Sequence, residues 1–259
     1  MLGPATPPPE MSVTTFAYGT ARTSEALDLY LPTGRRGEPL AVFVHGGAWV
    51  SGDKRDYAPL GAAFAKRGIA VAIVNYPLAP LVSAEEQAGA VGAAVQWLVA
   101  RADTAGYDGA RVFLIGHSAG AQLVLFALLS GLLPRAPVAG IVAIGAVGIN
   151  PSRDVQDLQQ QYQGIYEPAF GPDRETWSRF DIGPRLLGKE PPCLVIHGRA
   201  DDMAPEAISR ELAEQLRAAG DQVDYLQPEG RDHWGILAAM AAQPDDPSML
   251  AVERFIFRK

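Results

Sequence analysis

The sequence predicts an α/β protein: a mainly parallel sheet of about eight strands, covered by helices on both faces and antiparallel at its beginning. Three observations carry this. From residue 40 onward, short apolar runs alternate with longer helical stretches. Before residue 33, two segments alternate apolar and polar side chains, as an edge pair with one solvated face does. In mid-chain, the apolar run Val112 to Ile115 stops at Gly116-His117-Ser118-Ala119-Gly120 and passes straight into AQLVLFALLSGLL, which reads as strand, tight turn and helix.

The elements follow in order. Residues 1–10, rich in proline, read as a loose lead-in. Ser12 to Tyr18 and Ala26 to Leu31 are two strands around a polar turn, and ALDLYLP has the period of two that a half-solvated strand needs. Leu40 to Val44 is apolar throughout, hence a buried central strand. Tyr57 to Arg67 is helical, Ile69 to Asn75 a strand, and Ser83 to Ala102 one long helix. After the strand and helix around Ser118 come a strand at Val138 to Ala146, another at 192–197, a helix from Pro205 to Ala219 and a strand from Gln222 to Gln227. The helical C-terminus is broken at Pro244 and Pro247. Residues 150–188 stand outside the alternation, being polar and interrupted by Pro and Gly. A connection this long suggests a small lid over the strand ends, bearing Tyr162, Tyr166, Phe170 and Trp177. A solvated helical excursion with its aromatics turned to the core accounts for it equally well.

Bulk properties bound the function. With 259 residues, 48% of them hydrophobic, the chain can bury a core as one domain spanning 1–259, with 150–188 as its insertion. A net charge of −7 without a basic stripe argues against nucleic acid or an anionic membrane as partner. The single cysteine, Cys193, excludes an internal disulfide framework and suits a reducing cytoplasm. The start, MLGPATPPPE, has no basic or apolar signal region, and the apolar run from Leu123 to Leu133 is too short to span a bilayer. The expectation is a soluble, cytoplasmic protein.

The chemistry centres on G-x-S-x-G between a strand and a helix, the setting of a nucleophile elbow. A turn so tight strains the backbone of Ser118, and small residues two before and two after it clear the space. Its Oγ then stands above the helix N-terminus, where free N–H groups meet developing negative charge. A serine needs a base. Of four histidines, His45 and His197 end strands and His117 lies in the elbow; His233 alone follows every core strand, in a loop (GRDHWG) that can swing over the sheet edge. The base needs a carboxylate, and the turn after the strand PCLVIH offers two, Asp201 and Asp202. Asp201 has the G-x-x-D spacing that turns a side chain back toward the histidine, while Asp202 is placed to cap the helix near Pro205. Asp232 adjoins His233 and is expected to turn elsewhere. Oxyanion donors are worth about 3 to 4 kcal/mol each. They are offered by Gly46 and Gly47, which follow the first central strand, and by Ala119, the residue after the candidate nucleophile.

With LDLYLP, HGGAWVSGDK, VNYPLAP, GHSAG, HGRADDMAP and DHW in hand, the chain resembles the α/β-hydrolase superfamily over about residues 25–258. Within it, the resemblance is to esterases with an HGG oxyanion motif: hormone-sensitive-lipase-like carboxylesterases, kynurenine formamidase-like enzymes and prenylcysteine methylesterase-like enzymes. By motif match, the resemblance implies an α/β-hydrolase fold with Ser118, Asp201 and His233 as catalytic triad and Gly46, Gly47 and Ala119 as oxyanion hole. Two departures bear on substrate: Ala48-Trp49 replaces a third glycine, and Asn75 stands where an aspartate is frequent.

The expected activity is a serine hydrolase cleaving small carboxylic esters through an acyl-enzyme, with neither metal nor cofactor. An arylformamidase acting on N-formyl aryl amines is the alternative, and a non-catalytic ligand receptor on the same fold a minor one. The partner implied is a small-molecule ester or formamide; a homodimer is left open. Trp49, Tyr76, His117 and Trp234 lie near the site in sequence and are the candidate substrate-binding residues, with core packing as the other use of Trp49 and Tyr76.

Overall fold

The computed structural model describes residues 11–20, 22–133, 137–157 and 163–258. The lead-in 1–10 and Tyr162 lie outside them. Eight strands form one sheet: β1 (Met11–Ala17), β2 (Ala26–Pro32), β3 (Glu38–Val44), β4 (Ala70–Val74), β5 (Tyr107–His117), β6 (Val138–Ile144), β7 (Cys193–Ile196) and β8 (Val223–Leu226). Their spatial order is β1-β2-β4-β3-β5-β6-β7-β8. β1 and β2 pair antiparallel, as do β2 and β4, and every later pair is parallel. The antiparallel start and parallel body are those the sequence predicts.

The helices are α1 (Ala58–Lys66), α2 (Ala84–Val99), α3 (Ala102–Ala105), α4 (Ala119–Leu129), α5 (Pro151–Asp157), α6 (Gln163–Phe170), α7 (Glu206–Ala219), α8 (Gly235–Ala242) and α9 (Pro247–Phe257). Alternation along each central strand splits the core in two. Leu40, Val42 and Val44 of β3 face the side covered by α2, α4 and α7, while Ala41 and Phe43 face the side covered by α1, α8 and α9. Caps fix the ends. Ser83 Oγ accepts from the Glu86 amide while Glu86 returns a bond to the Ser83 amide, which starts α2. Asp246 accepts from the Ser248 and Met249 amides and starts α9, with Pro247 at its first position. One expectation is trimmed: the long helix expected over Ser83 to Ala102 stops at Val99, and a separate one-turn α3 follows it and ends in a left-handed Gly106.

The segment 150–188 is helical where described, with α5, α6 and two 3-10 turns, Arg174–Phe180 and Gly183–Arg185. Tyr166, Phe170, Trp177 and Phe180 are all buried. Trp49 meets Tyr166 and Phe170 edge-on, with ring centroids 5.3 and 4.9 Å apart. The aromatics therefore tie the segment down onto the loop after β3. Among the described residues, no helix is long and apolar enough to cross a membrane.

Candidate active site

In a parallel sheet, the loops that leave the carboxyl ends of neighbouring strands converge, and ligands bind there. Here β3 delivers the loop 45–53, β5 delivers Ser118, and β7 delivers the loop 197–205; the loop beyond β8 carries His233.

Ser118 sits at φ 54°, ψ −123°, a conformation that costs an L-residue on the order of 1 to 3 kcal/mol. Its amide donates to the Ile144 carbonyl at 2.8 Å, and its carbonyl accepts from the Ala121 amide at 3.0 Å. The flanking glycines have a measurable reason. A Cβ on Gly120 would lie 2.2 Å from the Val44 carbonyl oxygen, and one on Gly116 would lie 2.4 Å from the Ala121 Cα. The elbow thus wedges directly against β3 and against the first turn of α4.

Asp201 and His233 form a buried carboxylate–imidazole pair, with His233 Nδ1 2.7 Å from Asp201 Oδ2. The carboxylate can only accept here, so Nδ1 carries the proton and Nε2 is the bare nitrogen. The other oxygen, Oδ1, accepts from the Met203 amide at 3.0 Å and the Ala204 amide at 2.8 Å. Burial works to raise the Asp201 pKa, but the bond from His233 and that from the Ala204 amide outweigh it and hold the carboxyl below its usual range. Asp202 is exposed and does not cap α7, which begins at Glu206 after Pro205 with no side-chain cap. Asp232 turns the other way, accepting from the Trp234 and Gly235 amides at 3.1 and 2.6 Å and so opening α8.

The loop bearing His233 is pinned from three sides. The Ala200 amide donates to the Arg231 carbonyl at 3.0 Å, and the Arg231 guanidinium pairs with buried Asp246 at 2.9 Å. His117 Nε2 lies 2.9 Å from the His233 carbonyl and donates to it. Burial first, and the neighbouring His233 second, push the His117 pKa down to about 3, so the ring is neutral and its Nδ1 is bare.

Ser118, His233, Gly47 and Ala48 line one cavity of about 240 Å³, with Val147, Ile165 and Tyr166 also in its wall. Val50, Ile165, Met203 and Trp234 are 40–55% exposed and all sit on it, an apolar collar of the kind that marks an apolar ligand. Backbone at 47–49 is left-handed throughout, with φ of 118°, 51° and 62°. Among the described residues, the amides of Gly47, Ala48 and Ala119 donate to no other backbone group of the loops and turns. Gly46 is buried against Ser118 and His117, where a Cβ would lie 2.8 Å from the Ser118 Cβ. Ala48, which stands where a third glycine is frequent, lines the cavity beside Gly47 with its backbone left-handed.

Three of the four predicted substrate-binding residues lie elsewhere. Trp49 is fully buried, its Nε1 donating to Gln122 at 3.2 Å. Tyr76 is buried and stacked on His45 at 4.4 Å, its hydroxyl donating to the His45 carbonyl at 2.9 Å. His117 is spent on the His233 loop. Each supports the site from behind, because residues next to a strand end alternate between the cavity and the core. Only Trp234 reaches the cavity.

The chain can now be compared with known proteins. A family model described as the prolyl oligopeptidase family matches residues 90–244, and a BD-FAE model matches residues 27–136. The chain belongs to the prolyl oligopeptidase family. Within this family's reach, the isoprenylcysteine alpha-carbonyl methylesterase ICME of Arabidopsis thaliana is 29% identical over 226 residues, 80% of this chain and 53% of that protein. Esterase LipQ of Mycobacterium tuberculosis is 30% identical over 247 residues, 86% of this chain and 57% of that protein. The chain spans about half the length of these relatives. Among solved structures, esterase B of Lactobacillus rhamnosis superposes with a TM-score of 0.79 at 20% identity, covering 96% of this chain and 86% of the other. At that identity the likeness is one of fold: the sheet is that of the α/β-hydrolases.

Proposed function

We propose that this chain is a serine hydrolase of small carboxylic esters, working through an acyl-enzyme. The observation that carries the reading is the Asp201–His233 pair at 2.7 Å, sharing a small cavity with a serine held on a strained elbow. Ser118 Oγ attacks the acyl carbonyl as His233 Nε2 takes its proton. The amides of Gly47 and Ala119 receive the oxyanion, with Gly46 setting the turn that aims them and Ala48 the added donor at the same wall. Asp201 keeps the imidazole in the Nδ1–H tautomer and balances its charge once protonated. His233 then gives its proton to the leaving oxygen, the C–O bond breaks, and the alcohol departs. Water, deprotonated by the same Nε2, attacks the acyl-enzyme and frees the acid and Ser118.

The names of the relatives support an ester as substrate: a methylesterase and an esterase are among them, and a protein named as a probable carboxylic ester hydrolase, LipM of Mycobacterium tuberculosis, is 27% identical over 84% of this chain. The test is hydrolysis of p-nitrophenyl esters from acetate to decanoate by wild type and Ser118→Ala. Turnover of the short esters, abolished in the variant, is the expected result. If every ester were refused and N-formylkynurenine accepted, the same triad would be serving a formamide. Full activity in Ser118→Ala would sink the mechanism.

A further inference from the structure

A second, larger space adjoins the Ser118 cavity. It measures about 840 Å³ and runs between α1 and α8, on the opposite face of the sheet from α6. Its walls are mostly apolar, with Tyr57 and Leu60 on one side and Leu237, Ala238 and Ala241 on the other, and Ser51 and exposed Asp56 as the polar members of its lining. Gly47, Ser51 and Trp234 line both spaces, so the two adjoin at the candidate oxyanion loop and at the residue that follows His233. Trp234, large and apolar, is 45% exposed at the junction of the two.

The proposed chemistry fixes which half of an ester goes where. The carbonyl oxygen must face the Gly47 and Ala119 amides. The leaving oxygen must face His233 Nε2, because that nitrogen hands it the proton. Trp234 is joined to His233 and forms the common wall, so the chain attached to the leaving oxygen is led past it beneath α8. The acyl chain departs from the other side of the reacting carbon, toward Val147, Ile165 and Tyr166, where the space is small. We infer that the groove between α1 and α8 is the leaving-group subsite, and that the preferred substrates are short-acyl esters of long apolar alcohols. This inference rests on the esterase reading.

Two isomeric esters separate the halves: decyl acetate carries its long chain on the alcohol, methyl undecanoate on the acyl group. Apolar burial in the groove gives decyl acetate the higher kcat/KM, by about ten-fold or more. Ala238 and Ala242 line the groove and are exposed, so Ala238→Trp and Ala242→Trp fill it without disturbing the core. Each lowers the ratio of kcat/KM for decyl acetate to that for methyl undecanoate about ten-fold, chiefly through the KM of decyl acetate. If p-nitrophenyl acetate is cleaved but methyl undecanoate is the better isomer, or both tryptophans leave decyl acetate unaffected, the subsite is wrongly assigned and the esterase reading stands. If p-nitrophenyl acetate itself is refused, the esterase reading falls and takes the subsite with it.

Discussion

The His117 imidazole donates from Nε2 to the main-chain carbonyl of His233, 2.9 Å away, and so joins the residue before Ser118 to the residue opposite it. The rings approach to 4.7 Å between centroids. A neutral, fully buried donor is what this carbonyl requires, and no apolar side chain supplies one. His117→Phe leaves the carbonyl buried and unpaired at a cost of about 1 to 3 kcal/mol. We expect a lower midpoint of thermal unfolding and a fall in kcat larger than any change in KM, because the loop that places His233 loosens. Thermal unfolding and p-nitrophenyl acetate kinetics on the one variant check both.

The two adjacent aspartates give a sharper contrast. Asp201→Asn keeps the shape but offers His233 Nδ1 an ambiguous partner, so the imidazole can take the wrong tautomer. In a comparable triad this change cost about four orders of magnitude in kcat, and a loss of that order is expected here. Asp202→Asn, at an exposed position, leaves kcat within about two-fold and stability within about 0.5 kcal/mol. Equal losses in the two variants would undo the assignment.

Acid should unfold this protein through its buried imidazoles. Burial lowers the pKa of His45, His117 and His197 below their ordinary 6.5. Each then binds a proton more readily in the unfolded chain than in the folded one, and stability rises with pH wherever that holds. For His117 the window runs from about 3 to 6.5. Asp201, depressed in the fold, adds to the same trend as pH falls through its own lowered value. The urea midpoint is expected to drop as pH is lowered through this window, and less steeply in His117→Phe than in wild type. A parallel slope in that variant would exclude His117 as a contributor.

Much of this was legible in the sequence, for physical reasons that differ by element. Val112 to Ile115 is apolar on both faces because β5 is buried on both, and no other element of that length explains the run. G-x-S-x-G was readable because Gly116 and Gly120 have no room for a Cβ, a constraint that leaves its mark on the sequence. The candidate triad was readable from chain order, since the loops after β5, β7 and β8 leave one edge of the parallel sheet. What stayed hidden was side-chain direction near strand ends. Trp49 and Tyr76 are as close in sequence to the cavity as Trp234, yet they turn into the core, Trp49 on a left-handed backbone and Tyr76 held by the His45 carbonyl. The role of Asn75 was also hidden. It donates to Asp53 Oδ2 at 3.2 Å and accepts from the Lys54 amide at 2.5 Å, a bridge in which an aspartate would set a like charge beside Asp53. The groove between α1 and α8 left no motif, because apolar residues that line an open space look like those that fill a core.

Asp154 links the stability of the 150–188 segment to pH in the opposite sense to the histidines. It is buried in α5, and Tyr166, which lines the Ser118 cavity, donates to its Oδ2 at 3.2 Å while accepting from the Gly148 amide at 3.0 Å. Burial raises its pKa most; the Tyr166 hydroxyl opposes this, and the nearby carboxylates Glu211 and Asp181 reinforce it, leaving a value of about 7. Its folded pKa therefore lies above the unfolded one, so between 3.8 and about 7 the folded chain keeps a proton that the unfolded chain has lost, and stability falls as pH rises. Asp154→Asn keeps the acceptor for Tyr166 and removes the charge. The variant is expected to match wild type in acid and to exceed it at alkaline pH, by on the order of 1 to 3 kcal/mol. KM for p-nitrophenyl acetate should also lose its alkaline drift, since the Tyr166 wall no longer rests on an ionising group. Urea unfolding of both proteins on either side of neutrality decides the matter: a constant difference at every pH would mean that Asp154 does not titrate in the fold.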